Sequence, residues 1–286
     1  MVEPKLSDNA LRAMTDDGAF RVITVRTTDI VRRMLATRSL WGAEAVQLGE
    51  LVTGTILVRE TMAPMHRVQA LLRSADGASL WVGDSDPDGG ARGLLTRKDK
   101  NAPASLKGGT LEVVRTLHNG ELHRGVVKVP AGSTTSQALM VYLQESEQVV
   151  SMLAIGCVLG DDHVVAAGGY IVQLLPDVDQ GPLAIMAERL RDFEDIGPLL
   201  TTLDAATSPL MDEILYGMPF TRLEERPLAW RCRCGMDRVL ASLATLPRSD
   251  LVSLSADDKP IELSCDFCGT PYVVSPAQLR ALLGEN

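Results

Sequence analysis

Side chains alternate as on a half-buried strand over residues 20–25, and Thr27-Thr28-Asp29 then opens a helix with Ile30, Val31, Met34 and Leu35 on one face. A longer helix follows, with Ala43, Val46 and Leu51 among its inward positions and its polar residues outward. Residues 68–73 and 79–82 flank Asp76-Gly77, and residues 111–117 and 121–129 flank Asn119-Gly120. Both dipeptides favour the primed turns of two-residue hairpins. Ser133-Thr134-Thr135 caps a helix running to about Gln148, and residues 151–158 and 164–175 read as two more strands around Gly160-Asp161-Asp162. Strands and helices mix without a βαβ rhythm, so the pattern predicts an α+β core domain over residues 1–176.

After Pro176 the strand pattern stops. Leu183, Met186, Leu190 and Phe193 fall at helical spacing after Pro182, and Gly197-Pro198 ends that piece. Leu199, Leu200 and Leu203 mark a second short helix; Ser208-Pro209 starts a third with Leu210, Ile214 and Leu215 inward, closed by Gly217. Isolated helices below ~12–15 residues are marginal in water, so these are ordered only by laying their apolar faces on something else. Residues 177–230 are therefore expected to form an acidic, amphipathic helical linker.

Composition supports this division. A chain of 286 residues with 45% hydrophobic residues can bury a large core, and exceeds the ~250 residues at which single cores stop growing. The net charge of −9 is concentrated in the linker, which holds eleven acidic residues against four basic ones. That charge opposes the phosphate attraction on which most nucleic-acid affinity rests. Glu3, Pro4 and Asp8 interrupt the N-terminus where an export signal needs a continuous apolar run. The apolar stretch 41–62 is broken by Glu44, Glu50, Arg59 and Glu60, so no membrane span is expected. Four of the five cysteines lie in the last 55 residues, unlike a disulfide framework spread over a secreted fold, and a reducing cytoplasm is the expected setting.

Those four cysteines carry the chemistry. Cys232 and Cys234 form a Cys-x-Cys pair, thirty residues follow, and Cys265 and Cys268 form a Cys-x-x-Cys pair closed by Gly269. Two thiolates of one tight turn can reach a single tetrahedral ion, and a four-sulfur set suits zinc or an iron–sulfur cluster, the spacing being commoner for zinc. A C-terminal domain of residues 231–286 has little core of its own, so a metal would supply folding free energy directly. Spacing alone favours a structural staple, or a ribbon that carries nucleic acid. A metal-bound thiolate is also the species oxidants attack, and a linker of marginal helices beside it favours a switch. Arg231 and Arg233 flank the first pair, where positive charge would favour thiolate as well as serve a solvated surface.

The Cys-x-Cys, thirty-residue spacer and Cys-x-x-Cys pattern resembles the heat-shock protein 33 family of redox-regulated holdase chaperones. Val25-Arg26-Thr27-Thr28, Arg92-Gly93, Ser146-Glu147-Gln148 and the run from Ala167-Gly168-Gly169-Tyr170 to Pro176 resemble its N-terminal domain and occur in its order. The resemblance covers essentially the whole chain. Val149-Val150, where that family often carries proline, and Cys157, outside its motif, are small departures. It implies a cytoplasmic stress-response protein that binds one Zn2+ per chain through Cys232, Cys234, Cys265 and Cys268 when reduced and inactive. It further implies that oxidation joins Cys232 with Cys234 and Cys265 with Cys268, and that homodimerisation accompanies activation. Unfolded client proteins would then be held against aggregation, in support of refolding. Leu183, Met186, Leu190, Phe193, Leu210, Ile214 and Leu215 are the candidate client-binding residues, which would otherwise dock on the N-terminal domain.

Two readings compete. A zinc ribbon recruiting the N-terminal domain to RNA or ribosomes is disfavoured by the charge. A thiol-disulfide oxidoreductase working through Cys265 and Cys268 needs a free nucleophile, which four ligands on one metal do not leave. Cys157 reads as a small buried hydrophobe. His66, His118, His123 and His163 have no metal spacing, the glycine pairs open no phosphate-binding helix, and no catalytic constellation emerges, so the chain is read as a non-enzyme.

Overall fold

The computed structural model describes residues 6–99, 104, 108–176, 180–257 and 259–284. It is an α+β protein of two compact units, Met1–Arg231 and Cys232–Asn286.

The first unit opens with β1 (Asn9–Thr15), β2 (Phe20–Arg26), α1 (Thr28–Ala36) and α2 (Ala43–Thr61). It continues through β3 (Arg67–Ser74), β4 (Ser79–Ser85), β5 (Gly90–Arg97), β6 (Gly109–Thr116), β7 (Leu122–Val129), α3 (Thr135–Glu145), β8 (Ser151–Leu159) and β9 (Val164–Leu174). Then come α4 (Gln180–Leu190), a single 3-10 turn (Arg191–Phe193), α5 (Gly197–Thr202), α6 (Thr207–Ile214), β10 (Phe220–Pro227) and β11 (Ala229–Trp230). One sheet has the order β10-β1-β2-β9-β8 and a second the order β11-β5-β4-β3-β6-β7. All of their pairs are antiparallel except β11 with β5.

Helix α2 packs against strands of both sheets. This corrects the amphipathic expectation for it. Ala43 is exposed at its start, whereas Thr53, Thr55, Arg59 and Glu60 are buried. Being enclosed on both sides, the helix must satisfy its polar groups internally. Thr55 donates to the Leu51 carbonyl at 2.7 Å, and Arg59 donates to the carbonyls of Pro64 and Pro87. Fully buried Glu60 gathers Arg12 at 2.5 Å, Arg59 at 3.3 Å and Arg226 at 3.5 Å.

Local details follow the same logic. Ile30, Val31, Met34 and Leu35 are all buried on α1. The Thr27 hydroxyl does not cap that helix; it meets Thr53 at 2.7 Å, and the Asp8 carboxylate accepts the N–H groups of Asp29 and Ile30 instead. Helix α3 starts as expected, with Thr134 and Gln137 forming a capping box. The two hairpin turns differ from the primed expectation: Gly77 and Gly120 have positive φ but Asp76 and Asn119 do not. In both, an ordinary turn closed by Gly77 N–H on Ser74 or Gly120 N–H on Leu117 precedes the left-handed glycine, so each loop is longer than two residues.

Helices α4 to α6 cover the face of the first sheet opposite α2. Met186, Leu190, Leu210, Ile214 and Leu215 are buried there with Phe20, Val22, Tyr170 and Val172, and Phe193 packs against the same cluster. Leu183 is half-buried. Gly156 and Gly168 are paired across β8 and β9; a Cβ on Gly156 would lie 2.9 Å from Leu200 of α5, which is fully buried, and one on Gly168 would lie 3.3 Å from Leu200 and collide with the Val25 carbonyl at 2.5 Å. The segment 177–230 is not helical throughout: Phe220–Pro227 is strand β10, which extends the sheet on the outer edge of β1. An unpaired sheet edge is satisfied by strand addition wherever the chain can reach it.

The second unit contains α7 (Met236–Leu243), α8 (Arg248–Ala256), β12 (Ile261–Ser264), β13 (Pro271–Val274) and α9 (Pro276–Leu282). The β12–β13 hairpin and the helices share five buried residues, Leu243, Leu251, Val274, Leu279 and Leu283, with partly buried side chains around them.

Candidate metal centre

Cys232 and Cys234 lie in the irregular stretch between β11 and α7, and Cys265 and Cys268 in the turn joining β12 to β13. Pairing of the two strands sets that turn: Cys265 N–H donates to the Thr270 carbonyl at 2.9 Å and Gly269 N–H to the Cys265 carbonyl at 2.8 Å. Gly269 has φ of +72°, a left-handed conformation that costs glycine nothing and lets the loop fold back under its two sulfurs.

The four sulfurs converge. Cys232 Sγ lies 3.6 Å from Cys265 Sγ and Cys234 Sγ lies 3.4 Å from Cys268 Sγ. All four ligand atoms lie within 4.8 Å of one another, on half-buried residues. Tetrahedral coordination at a metal–sulfur distance of ~2.3 Å puts ligand sulfurs about 3.8 Å apart. The donor set therefore fits a four-coordinate ion, and these cysteines can hold a metal. Cys268 is favoured as thiolate. Burial opposes ionisation of Cys268, but hydrogen bonds from the Thr270 hydroxyl and backbone N–H, and from Cys234 and Cys232, bring its pKa down to about 6. The Thr270 hydroxyl stands 3.1 Å from that sulfur. Tyr272 adds a contact that the cysteine spacing did not signal: its hydroxyl is bonded to Cys234, and with the charge of Cys234, Cys268 and Cys265 its pKa rises to about 12. Thr270 and Tyr272 are legible only as the residues at +2 and +4 from Cys268, the first just before the strand that closes the turn and the second on it.

Arg231, Cys157 and the four histidines belong to the first unit. Arg231 forms an ion pair with Asp88 in the first unit. Cys157 sits on β8, 7% exposed, and burial with the charge of Glu50 pushes its thiol up to about 12, so it is inert. His163 pairs with Asp162 at 2.8 Å and His123 meets Arg115 at 3.0 Å. Among the described residues only the four cysteines form a cluster of three or more potential metal ligands. No helix among them is long and apolar enough to cross a membrane.

Comparison with known proteins gives consistent results. A family model described as "Hsp33 protein" matches residues 8–275. The chain is similar to the 33 kDa chaperonin of Syntrophotalea carbinolica, at 31% identity over 97% of this chain and all of that one. It is also similar to the 33 kDa chaperonin of Symbiobacterium thermophilum, at 30% identity over 96% of each chain. The fold matches the crystal structure of the 33 kDa chaperonin of Thermotoga maritima, with a TM-score of 0.84 at 22% identity over 98% of both chains.

Proposed function

The chain belongs to the Hsp33 protein family, and from that premise we propose that it is a redox-regulated holdase, a non-enzymatic chaperone of the cytoplasm that binds unfolded proteins when its cysteine centre is oxidised. The observation that carries this reading is the convergence of four thiols, in a unit with five buried core residues, directly after a segment whose apolar helices lie on the N-terminal sheet. Cys232, Cys234, Cys265 and Cys268 are proposed to hold one zinc ion; bound there, zinc keeps the sulfurs as thiolates and contributes folding free energy on the order of 10–16 kcal/mol.

Oxidation removes the ligands. Each pair of thiolates gives up two electrons to one peroxide molecule, which takes two protons and leaves as two waters while a disulfide forms. The family implies the pairs Cys232–Cys234 and Cys265–Cys268. A disulfide draws its sulfurs to about 2.05 Å, incompatible with a tetrahedral edge near 3.8 Å, and its sulfurs no longer carry charge. The C-terminal unit then loses its main source of stability. Only four residues separate Pro227 of β10 from Cys232, so disorder entering there would loosen β10 and the helices before it. Met186, Leu190, Phe193, Leu210, Ile214 and Leu215, with Leu183 beside them, and the sheet face they cover would become available to clients, with dimerisation of the opened chains.

The test is suppression of aggregation of a heat-unfolded protein. Reduced, zinc-loaded protein is expected to suppress weakly and peroxide-treated protein strongly, with zinc appearing in solution over the same interval. Equal suppression by both forms contradicts the reading.

A further inference from the structure

The chain carries eleven methionines, and the fold protects their sulfurs unequally. Met65, between α2 and β3, is 67% exposed. Met34 on α1 is fully buried in the main core, its sulfur over Gly93 of β5. Met186 on α4 and Met211 on α6 are buried as completely as Met34, but their cover is of another kind. They lie in the seam between the linker helices and the first sheet, in one cluster with Phe20, Val22, Tyr170 and Val172. Both belong to the linker side of that seam, so whatever lifts the linker uncovers both sulfurs together.

A thioether has no proton to lose, so access to the oxidant sets which methionine reacts. Hypochlorous acid delivers its oxygen to a lone pair of the sulfur. The O–Cl bond breaks and chloride and a proton leave, with sulfur oxidised by two electrons and chlorine reduced by two. The sulfoxide is polar, and it is reversed by methionine sulfoxide reductases rather than by the thiols that reopen disulfides. The side chains around Met186 and Met211 are aliphatic or aromatic, so a sulfoxide oxygen gives up its water on redocking into an apolar surround, which opposes the return of the linker.

We propose that Met186 and Met211 are oxidation sites that open only when the linker is released, and that their sulfoxides then hold it released. Resting on the holdase reading, this adds a longer-lived state to the thiol switch. Reduction of the disulfides and resupply of zinc restore the metal centre, but the linker returns to the sheet only after the sulfoxides are reduced. Met34 stays a thioether throughout, because α1 packs on α2 and β5, outside the segment that is released.

The experiment opens the full-length chain with peroxide and mild heat, gives it a short pulse of hypochlorous acid, then reduces it with dithiothreitol and resupplies zinc. A parallel sample omits the pulse. Peptide mass mapping of the pulsed protein is expected to find sulfoxide at Met65, Met186 and Met211 and thioether at Met34. Without the pulse, hydrogen exchange of α4 and α6 is expected to return to that of untreated protein. With it, the ratio of docked to released linker is expected to fall about tenfold or more per sulfoxide, the scale for burying a polar group without a partner, and methionine sulfoxide reductase is expected to restore protection. Met186→Leu with Met211→Leu conserves volume; its exchange should match the parent before treatment, and it should redock after the pulse. Intact thioethers at Met186 and Met211 in a chain whose α4 and α6 amides have lost protection overturn the proposal. So does full redocking of the sulfoxide form, or a double variant that stays open after the pulse, which would place the damage elsewhere. Each of these leaves the holdase reading standing. If peroxide alone leaves α4 and α6 protected, that reading falls and the proposal with it.

Discussion

The N-terminal unit encloses α2 between two sheets and buries more than thirty hydrophobic residues in one cluster, whereas the C-terminal unit gathers three short helices and a hairpin around five. The first has enough buried apolar area to be ordered by its own sequence, at roughly 25 cal/mol per Å². The second falls in the size range where metals or disulfides are usually needed. The difference teaches why the four sulfurs are placed where they are. A metal site inside the large core would add little that could be withdrawn; in the small unit it can decide between folded and unfolded.

The largest effect expected is from ligand loss. Cys265→Ser should reduce zinc content from one equivalent per chain to near zero and abolish the protection of α7–α9 in hydrogen exchange, while α2 and β3–β6 stay protected. Full metal content in that variant would break the contrast between the units. Next is the linker seat. Leu200→Ala empties the socket over Gly156 and Gly168, with an expected cost of about 2–5 kcal/mol to whatever holds the linker down. Its readout is aggregation suppression by the reduced protein, which should rise; unchanged suppression with normal zinc content would separate linker docking from client binding. Smaller is Thr134→Ala, which removes the α3 capping box and should lower stability to urea by about 1 kcal/mol, with zinc content unaffected. Thiol labelling at neutral pH after gentle metal removal should find four reactive cysteines and one silent: a thiol whose pKa is raised to about 12 stays protonated at any lower pH, so Cys157 offers no thiolate.

Much of this arrangement was legible along the chain. The cysteine spacing singled out the four residues whose sulfurs converge, and α1, β2, β8 and β9 announce themselves through their period and α3 through its cap, because their signals lie within a dozen residues. Three features were not legible. The buried charge of Glu60 depends on Arg12 and Arg226, partners that only the fold brings together. The strand character of β10 depends on the free edge of β1, over two hundred residues earlier; its own sequence is mostly charged and exposed. The role of Thr270 and Tyr272 depends on the exact closure of the β12–β13 turn, which places their hydroxyls on particular sulfurs. Each is a property of two segments, and neither segment carries it alone.

The account's central claim is that the four thiolates govern whether the linker is docked. It is tested most directly by following zinc release with a metal indicator and aggregation suppression in the same peroxide-treated sample. The account predicts that the two rise together, that reduction and resupply of zinc reverse both, and that the chain with all four cysteines changed to serine suppresses aggregation without oxidant. Full zinc release with no gain in suppression, by oxidation or by mutation, would contradict it.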